Sequence, residues 1–306
     1  MKKELQLKND DDFGWLIHHR LNDSFNFFGW LETEKQQTIA YQISIIKNFS
    51  FFNIPIYKLV VNLINTNTGT NFVFDNYSFG AKSIISDEGK IRFNKELQIT
   101  KYPDYFNIDF KNPDFCINVD LHFENNKFLW MYNDEVNLMV GKNKSLKNIF
   151  ASNSNLKTSG VLRIKGYDFN VKGTSFYSRG FGQFSETKIK THYQKIDMWI
   201  ENKHYEVKQF IDFNQTKSCL IENNEVKNLN VEVSPMDFFV SNKNKYAIKW
   251  IIIIEGIDEF YIEAQTQVLS NRYQFGIVKN KEGKNIGKAY IETIPTFYNS
   301  NIQSLL

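Results

Sequence analysis

The chain has 306 residues, enough for one large domain or two of ordinary size, and its 42% hydrophobic content can fill a substantial core. Its 37 basic and 34 acidic residues leave a net charge of only +3, with lysines scattered among asparagines, which argues against a dedicated basic nucleic-acid surface. Two cysteines, Cys116 and Cys219, fall on opposite halves and exclude a disulfide framework or a cysteine-type metal spacing.

The first residues, Met-Lys-Lys-Glu-Leu-Gln-Leu-Lys, carry charges at both ends and no apolar centre, unlike a signal peptide. The longest apolar run, Trp250 to Ile254, is far too short to span a bilayer as a helix. The expectation is a cytoplasmic protein. Aromatic residues reach 16%, and 28 Phe with 15 Tyr require an interior to hold them.

In chain order, Gly14-Trp15-Leu16-Ile17 leads through a short turn into an aromatic-rich strand. His18 and His19 alternate across it, so at most one imidazole faces an interior, either as a hydrogen-bonded core residue beside Trp15 or in a functional role. Leu21-Asn22-Asp23-Ser24 has turn chemistry. Ile39, Tyr41, Ile43 and Ile45 then repeat at the two-residue period of a half-buried strand. Turns follow at Asn67-Thr68-Gly69 and Asp87-Glu88-Gly89. Phe115, Ile117, Val119, Leu121 and Phe123 share one face of a further strand, opposite Cys116, Asn118, Asp120, His122 and Glu124. The polar face is that of a wet sheet, on which His122 with Asp120 and Glu124 is either simply polar or part of a metal or acid–base site, although no second ligand cluster is visible.

After a turn at Glu124-Asn125-Asn126-Lys127 comes a polar, weakly patterned region, Gly141 to Ser159. It is the expected linker, dividing the chain into domains 1–145 and 155–306, with short helical turns near Ser145 to Phe150. The stretch Gly166 to Gly182 reads as a strand, a bend at Gly173 and a second strand closing on Gly180-Phe181-Gly182. Ser178 sits in half of a nucleophile elbow, but Phe176 stands where the first glycine belongs and no helix follows. Arg179 is one of five arginines in the chain. Beside Tyr177 and Phe181, it is either a guanidinium held for function or a barrel-closing arginine stacked on rings.

Farther on, Asp197 and Trp199 share a strand face opposite Ile196, Met198 and Ile200. Facing inward, that carboxylate would lie against an indole as a candidate acid; facing outward it would be solvated. Tyr205, Val207, Ile211 and Phe213, then Phe260, Ile262, Ala264 and Val268, give further alternating strands. Turns at Glu222-Asn223-Asn224 and Lys281-Glu282-Gly283 join their neighbours. No helix of ten residues with a 3.6-residue stripe appears, and no P-loop, dinucleotide or zinc-helix motif. The class is all-β, with many short antiparallel strands in barrels or sandwiches. Each half has the size of an eight-stranded barrel.

The stretch Val171-Lys172-Gly173-Thr174-Ser175-Phe176-Tyr177-Ser178-Arg179-Gly180-Phe181-Gly182 resembles the signature V-x-G-x-A-W-x-D-R-E-W-G of the AttH-like and carotenoid-hydratase-like proteins. Gly14 to Ile17 through Gly29-Trp30-Leu31-Glu32 is similar to that family's opening hairpin, and Phe106 to Tyr132 to its first-domain closing pattern. The resemblance implies two lipocalin-like (calycin) antiparallel β-barrels in tandem with an apolar pocket near their interface. It also implies a hydrophobic polyene, polyketide or terpenoid as the partner, and no cofactor or metal. Related members hydrate carotenoids, cyclise isoprenoids or catalyse intramolecular [4+2] cyclisation. Val171, Gly173, Arg179 and Gly182 match, whereas Ser178 and Gly180 replace acids and Phe181 replaces Trp. Loss of those acids weakens protonation chemistry and leaves shaping of the substrate, with Arg179 or Tyr177 polarising a carbonyl. Trp15, His19, Trp30, Phe176, Phe181 and Trp199 are the expected substrate-binding walls. The alternatives are a hydratase or lyase using Asp197 or Glu201 as acid, and a non-catalytic carrier.

Overall fold

The structure, a computed structural model, describes residues 6–8, 22–49, 54–79, 84–87, 89–123, 128–133, 148–182, 193–201, 203–210, 215–222, 225–241, 244–265 and 273–294. Trp15, His18, His19, Glu124, Ile211, Phe213 and Val268 lie outside the described residues. Those described form twenty-two strands and no helix, so none is long and apolar enough to cross a membrane as a helix. The chain divides into two compact units, Met1–Ile189 and Lys190–Leu306.

The first unit holds β1 (Gln6–Lys8), β2 (Asn22–Thr33), β3 (Thr38–Phe49), β4 (Pro55–Asn65), β5 (Asn71–Phe79), β6 (Ile84–Asp87) and β7 (Lys90–Phe93). It continues through β8 (Leu97–Lys101), β9 (Tyr105–Lys111), β10 (Phe115–Phe123), β11 (Phe128–Asn133), β12 (Asn148–Ile164) and β13 (Tyr167–Gly182). The main path of this sheet runs β5-β4-β3-β2-β13-β12-β10-β9-β8-β7-β6. Its inner face curls on itself: Phe72 and Phe74 of β5 pack against Phe115 of β10 and Phe110 of β9, with centroids 5.8 and 5.2 Å apart. Ile39, Tyr41, Ile43 and Ile45 lie in the enclosed core, as their alternation requires, together with Phe115, Ile117, Val119 and Leu121.

The second unit holds β14 (Tyr193–Ile200), β15 (Lys203–Phe210), β16 (Gln215–Glu222), β17 (Glu225–Asn228), β18 (Val231–Ser241), β19 (Asn244–Ile254), β20 (Asp258–Ala264), β21 (Tyr273–Lys279) and β22 (Asn285–Ile294). Its order is β17-β16-β15-β14-β22-β21-β20-β19-β18. This sheet curls too, since the Trp250 indole on β19 donates to Gln194 Oε1 on β14 at 3.0 Å. Its core gathers Ile196, Met198, Tyr205, Val207, Trp250, Ile252, Phe260 and Ile262.

Three sequence expectations change. The boundary falls at Ile189/Lys190, because Asn148 to Ser159 is not a linker but most of β12. A β-bulge between Asn153 and Leu156 breaks the alternation there, which removes the period-two signal that would have shown a strand. Within Leu21 to Ser24, Asn22 to Ser24 are the start of β2 and not a turn. Gly173 is no bend, because β13 runs unbroken through it. A side-chain carbon at Gly173 would lie 2.0 Å from the Trp30 carbonyl oxygen, so the residue is glycine to let β2 and β13 approach closely.

Candidate functional site

Strand alternation sorts the residues around Arg179 onto two faces. Tyr177 and Arg179 pair in register with Phe27 and Phe25 and point into the first unit's core. Phe176 and Trp30 have the opposite parity. Both are buried, and Phe176 packs on Phe28 at 4.6 Å on the face away from Arg179. The expected single wall of rings is therefore split by the sheet itself. Phe181 pairs with Asp23 in register.

On the inner face Arg179 is 1% exposed, and Asp23, opposite on β2, is 3% exposed. The guanidinium meets the carboxylate side-on, Nε to Oδ1 at 3.4 Å and Nη2 to Oδ2 at 3.3 Å. It also lies over the face of Phe25, 4.5 Å from guanidinium carbon to centroid. Two parallel donors and a ring fix the plane of the group, which a lysine at this position would not. Asp23 is also the cross-strand partner of Lys47, itself the partner of Tyr57. Burial lowers the Lys47 ammonium below its ordinary 10.5, an effect that Asp23 opposes. Burial, and then Asp23, raise the Tyr57 phenol. Asp23 therefore sits between a fixed cation and a lysine whose charge the site resists.

One layer deeper, Tyr177 stacks on Phe27 at 4.8 Å and lies 5.0 Å from Phe106. Beyond it the Tyr41 hydroxyl donates to Ser175 Oγ at 2.7 Å, and Thr158 donates to the same oxygen at 2.6 Å. Along the inner face the residues thus pass from ions through rings to hydroxyls.

Asp197 belongs to the second unit. Ile196 and Met198 take the core side, which puts Asp197 and Trp199 on the other face, as their alternation requires. Asp197 is nevertheless fully buried. Its Oδ2 is 2.9 Å from Lys195 Nζ and its Oδ1 is 2.9 Å from His204 Nε2. Trp199 stacks on His204 at 4.6 Å, nearly parallel. Glu206 extends the row, 3.3 Å from Lys195 and 2.9 Å from Lys208. Burial lowers the charged form of Lys195, but Asp197 and Glu206 outweigh it and leave the ammonium well above its ordinary value. Burial likewise opposes the Glu206 carboxylate, and Lys208 and Lys195 hold it well below the usual range. With one oxygen on the Lys195 ammonium and the other on the His204 ring, Asp197 is a member of a buried polar network. Glu201 is exposed in the β14–β15 turn at φ 54°. His122 is an exposed residue stacked on Tyr105, and no group of three His, Cys, Asp or Glu among the described residues is placed to hold a metal ion.

No protein-family model and no curated protein matches the sequence. Solved structures do match in shape. A crystal structure from Nitrosomonas europaea described as AttH-like aligns with TM-score 0.78 at 16% identity, over 97% of this chain and 98% of that one. Kievitone hydratase from Nectria haematococca aligns with TM-score 0.70 at 12% identity, over 90% and 89% of the two chains. The fold is tandem lipocalin-like. CghA shares it more distantly, with TM-score 0.54 at 8% identity over 92% and 90% of the chains. At these identities the likeness establishes the fold and leaves the chemistry to the residues.

The sequence reading singled out Arg179 and Tyr177 and did not single out Asp23, Lys47 or Tyr57, which the structure places beside Arg179 or along the same ladder. One signal was present. Lys47 continues the parity of Ile39, Tyr41, Ile43 and Ile45, so a cation stood at a core-facing position. Asp23 was hidden by the turn-like composition around it.

Proposed function

We propose that the protein is a cofactor-independent enzyme of the cytoplasm that folds an apolar polyene, polyketide or isoprenoid intermediate into one reactive conformer for cyclisation or isomerisation. The observation that carries this reading is the buried guanidinium of Arg179, fixed by Asp23 over Phe25 at the head of an aromatic inner face. A donor locked in place before substrate arrives stabilises charge that develops on a carbonyl oxygen without reorganising. Rings along Phe25, Phe27, Tyr177 and Phe106 would hold the chain by burial and limit its conformers.

A second reading, hydration of an alkene, is favoured by Asp23 and Lys47. The acids missing from positions 178 and 180 have a counterpart across the strand in Asp23, and the lysine beside it is predisposed to give up a proton. A kievitone hydratase shares the fold.

One incubation separates the readings: purified protein with a linear polyene bearing a terminal carbonyl, in oxygen-18 water, with products resolved by chiral chromatography and mass spectrometry. A faster, stereochemically single cyclised or isomerised product supports the first, and label in the product supports the second. Substrate recovered unchanged across a panel of such polyenes removes both and leaves a carrier. Where turnover is seen, Arg179→Lys should lower kcat by roughly 10²–10³ if the fixed donor is what stabilises the transition state.

A further inference from the structure

The first unit has a concavity at the end of the β2–β13 pair away from Arg179. There β2 finishes at Thr33 and β13 begins at Tyr167. The pocket encloses about 280 Å³. Ile39 and Leu63 of the core form its floor, and Phe72, Ile164 and Phe169, each partly buried against that core, form its walls.

The polar rim is largely occupied with its own turns. Asn65 Oδ1 accepts from the amides of Asn67 and Thr68, and the Thr68 hydroxyl donates to Thr70. Lys165 is different. It sits in the β12–β13 turn with φ 50°, followed by Gly166 at 83°, the paired left-handed conformations of a tight hairpin turn, which set the direction of its side chain. Its Nζ lies 5.9 Å from the centre of the Phe72 ring, and it makes no ion pair among the described residues. Of the acids nearby, Asp168 takes both oxygens to Arg163 and Glu34 accepts from Asn170, while Asp114 meets Lys165 through its backbone carbonyl, which accepts from the Lys165 amide at 3.0 Å. Lys35, 5.9 Å over Phe169, adds a second cation.

We propose that this pocket binds a small amphipathic carboxylate, with its aryl or short alkyl body on Phe72 and Phe169 and its head at Lys165. The volume stands at the lower edge of ordinary ligand sites, roughly 300–1,000 Å³, so it suits a single ring or a short chain and not a long polyene. The site is separate from the Arg179 cluster and stands whether or not that cluster catalyses a reaction.

The test is calorimetric titration of the full chain with 3-phenylpropanoate and with its uncharged twin 3-phenylpropan-1-ol, at low and high salt. The acid should bind saturably and more tightly than the alcohol, with the advantage shrinking as salt rises. Lys165→Gln should weaken the acid roughly two- to fivefold, the range of an exposed ion pair, and leave the alcohol unchanged. Lys165→Glu should weaken the acid further. Ile164→Phe, checked for folding by circular dichroism, should fill the pocket and abolish both. Absence of saturable binding, equal affinity for acid and alcohol, an unchanged affinity in Lys165→Gln, or binding that survives Ile164→Phe would each overturn the assignment.

Discussion

Replacing Asp23 with asparagine keeps the size of the side chain and removes the carboxylate charge that pairs with Arg179. The pair lies at 3.3 Å with side chains 1% and 0% exposed, so solvent screens it little. With an effective dielectric constant of about 20, two unit charges at that distance attract by roughly 5 kcal/mol. The desolvation of Arg179 remains after the carboxylate has gone, and arginine cannot shed its proton to escape it. The amide of asparagine can still accept a hydrogen bond, which returns about 1 kcal/mol. The expected loss is therefore about 3–5 kcal/mol, the range for breaking one side of a buried pair. It is measured by urea unfolding at pH 7, with the first unit's transition followed separately from the second's. Asp23→Leu combined with Arg179→Met should recover part of the loss, because the guanidinium is then no longer stranded, while Lys47 still lacks its carboxylate.

The same variant predicts a pH dependence through Lys47. Its folded pKa is lowered by burial and held up in part by Asp23. Without Asp23 it falls further, so the window between folded and unfolded values widens downward from the ordinary 10.5. Within that window the unfolded chain binds more protons than the folded one, and stability rises with pH. The penalty of Asp23→Asn should therefore shrink from pH 7 toward pH 10. A penalty below about 1 kcal/mol, the level of an exposed pair, or one that stays constant over that range, would refute the claim that these ions form one desolvated cluster.

Three further outcomes are expected. Glu206 is held below its ordinary 4.5 by Lys208 and Lys195 against the opposing effect of burial, so its stabilisation is complete above that value and is lost as the pH falls below it; Glu206→Gln should flatten the acid limb of urea midpoints measured from pH 6 to 3. Gly173→Ala would set a methyl carbon 2.0 Å from a backbone oxygen, whereas Gly166→Ala meets nothing within 4 Å and bears only a φ of +83°; the first should cost about 3 kcal/mol or more and the second about 1 kcal/mol in thermal or urea unfolding. The Cys219 thiol is 1% exposed and pushed far up by burial, while Cys116 is half-buried; a thiol reagent should therefore modify Cys116 in the native protein and reach Cys219 only after denaturation.

What was legible in the sequence follows from which strands have one wet face. The alternation Phe115 to Phe123 matches its buried and partly exposed residues because β10 has core on one side only. The hairpin turns with Gly69, Gly89 and Gly283 announced themselves because each needs a positive φ. The site strands gave no such contrast. Phe25, Phe27 and Leu31 of β2 are buried on the core face, and Phe28 and Trp30 are buried on the other. A run apolar on both faces hides which parity is enclosed, so composition could not say whether the face of Tyr177 and Arg179 or that of Phe176 points into the core. The ions of the second unit were hidden for a related reason. Lys195, Asp197, Glu206 and Lys208 have the alternation of an ordinary polar face, and only their mutual pairing lets that face be buried.

The inward aim of Arg179 is therefore a question of register, and the glycines answer it. Gly29 lies opposite Ser175, and Gly173 opposite Leu31, in the β2–β13 ladder. A side-chain carbon at Gly29 would come within 2.5 Å of the Thr174 carbonyl oxygen, and one at Gly173 within 2.0 Å of that of Trp30. Two close approaches, one from each strand, fix where the pair can come together. A slip of one residue would bring a side chain to each narrow point and would also turn Arg179 away from Asp23. The glycine at 173 and the arginine at 179 are parts of one device: the first fixes the register that lets the second meet its carboxylate. Gly173→Ala should therefore disturb the Arg179–Asp23 pair, although Arg179 lies six positions away.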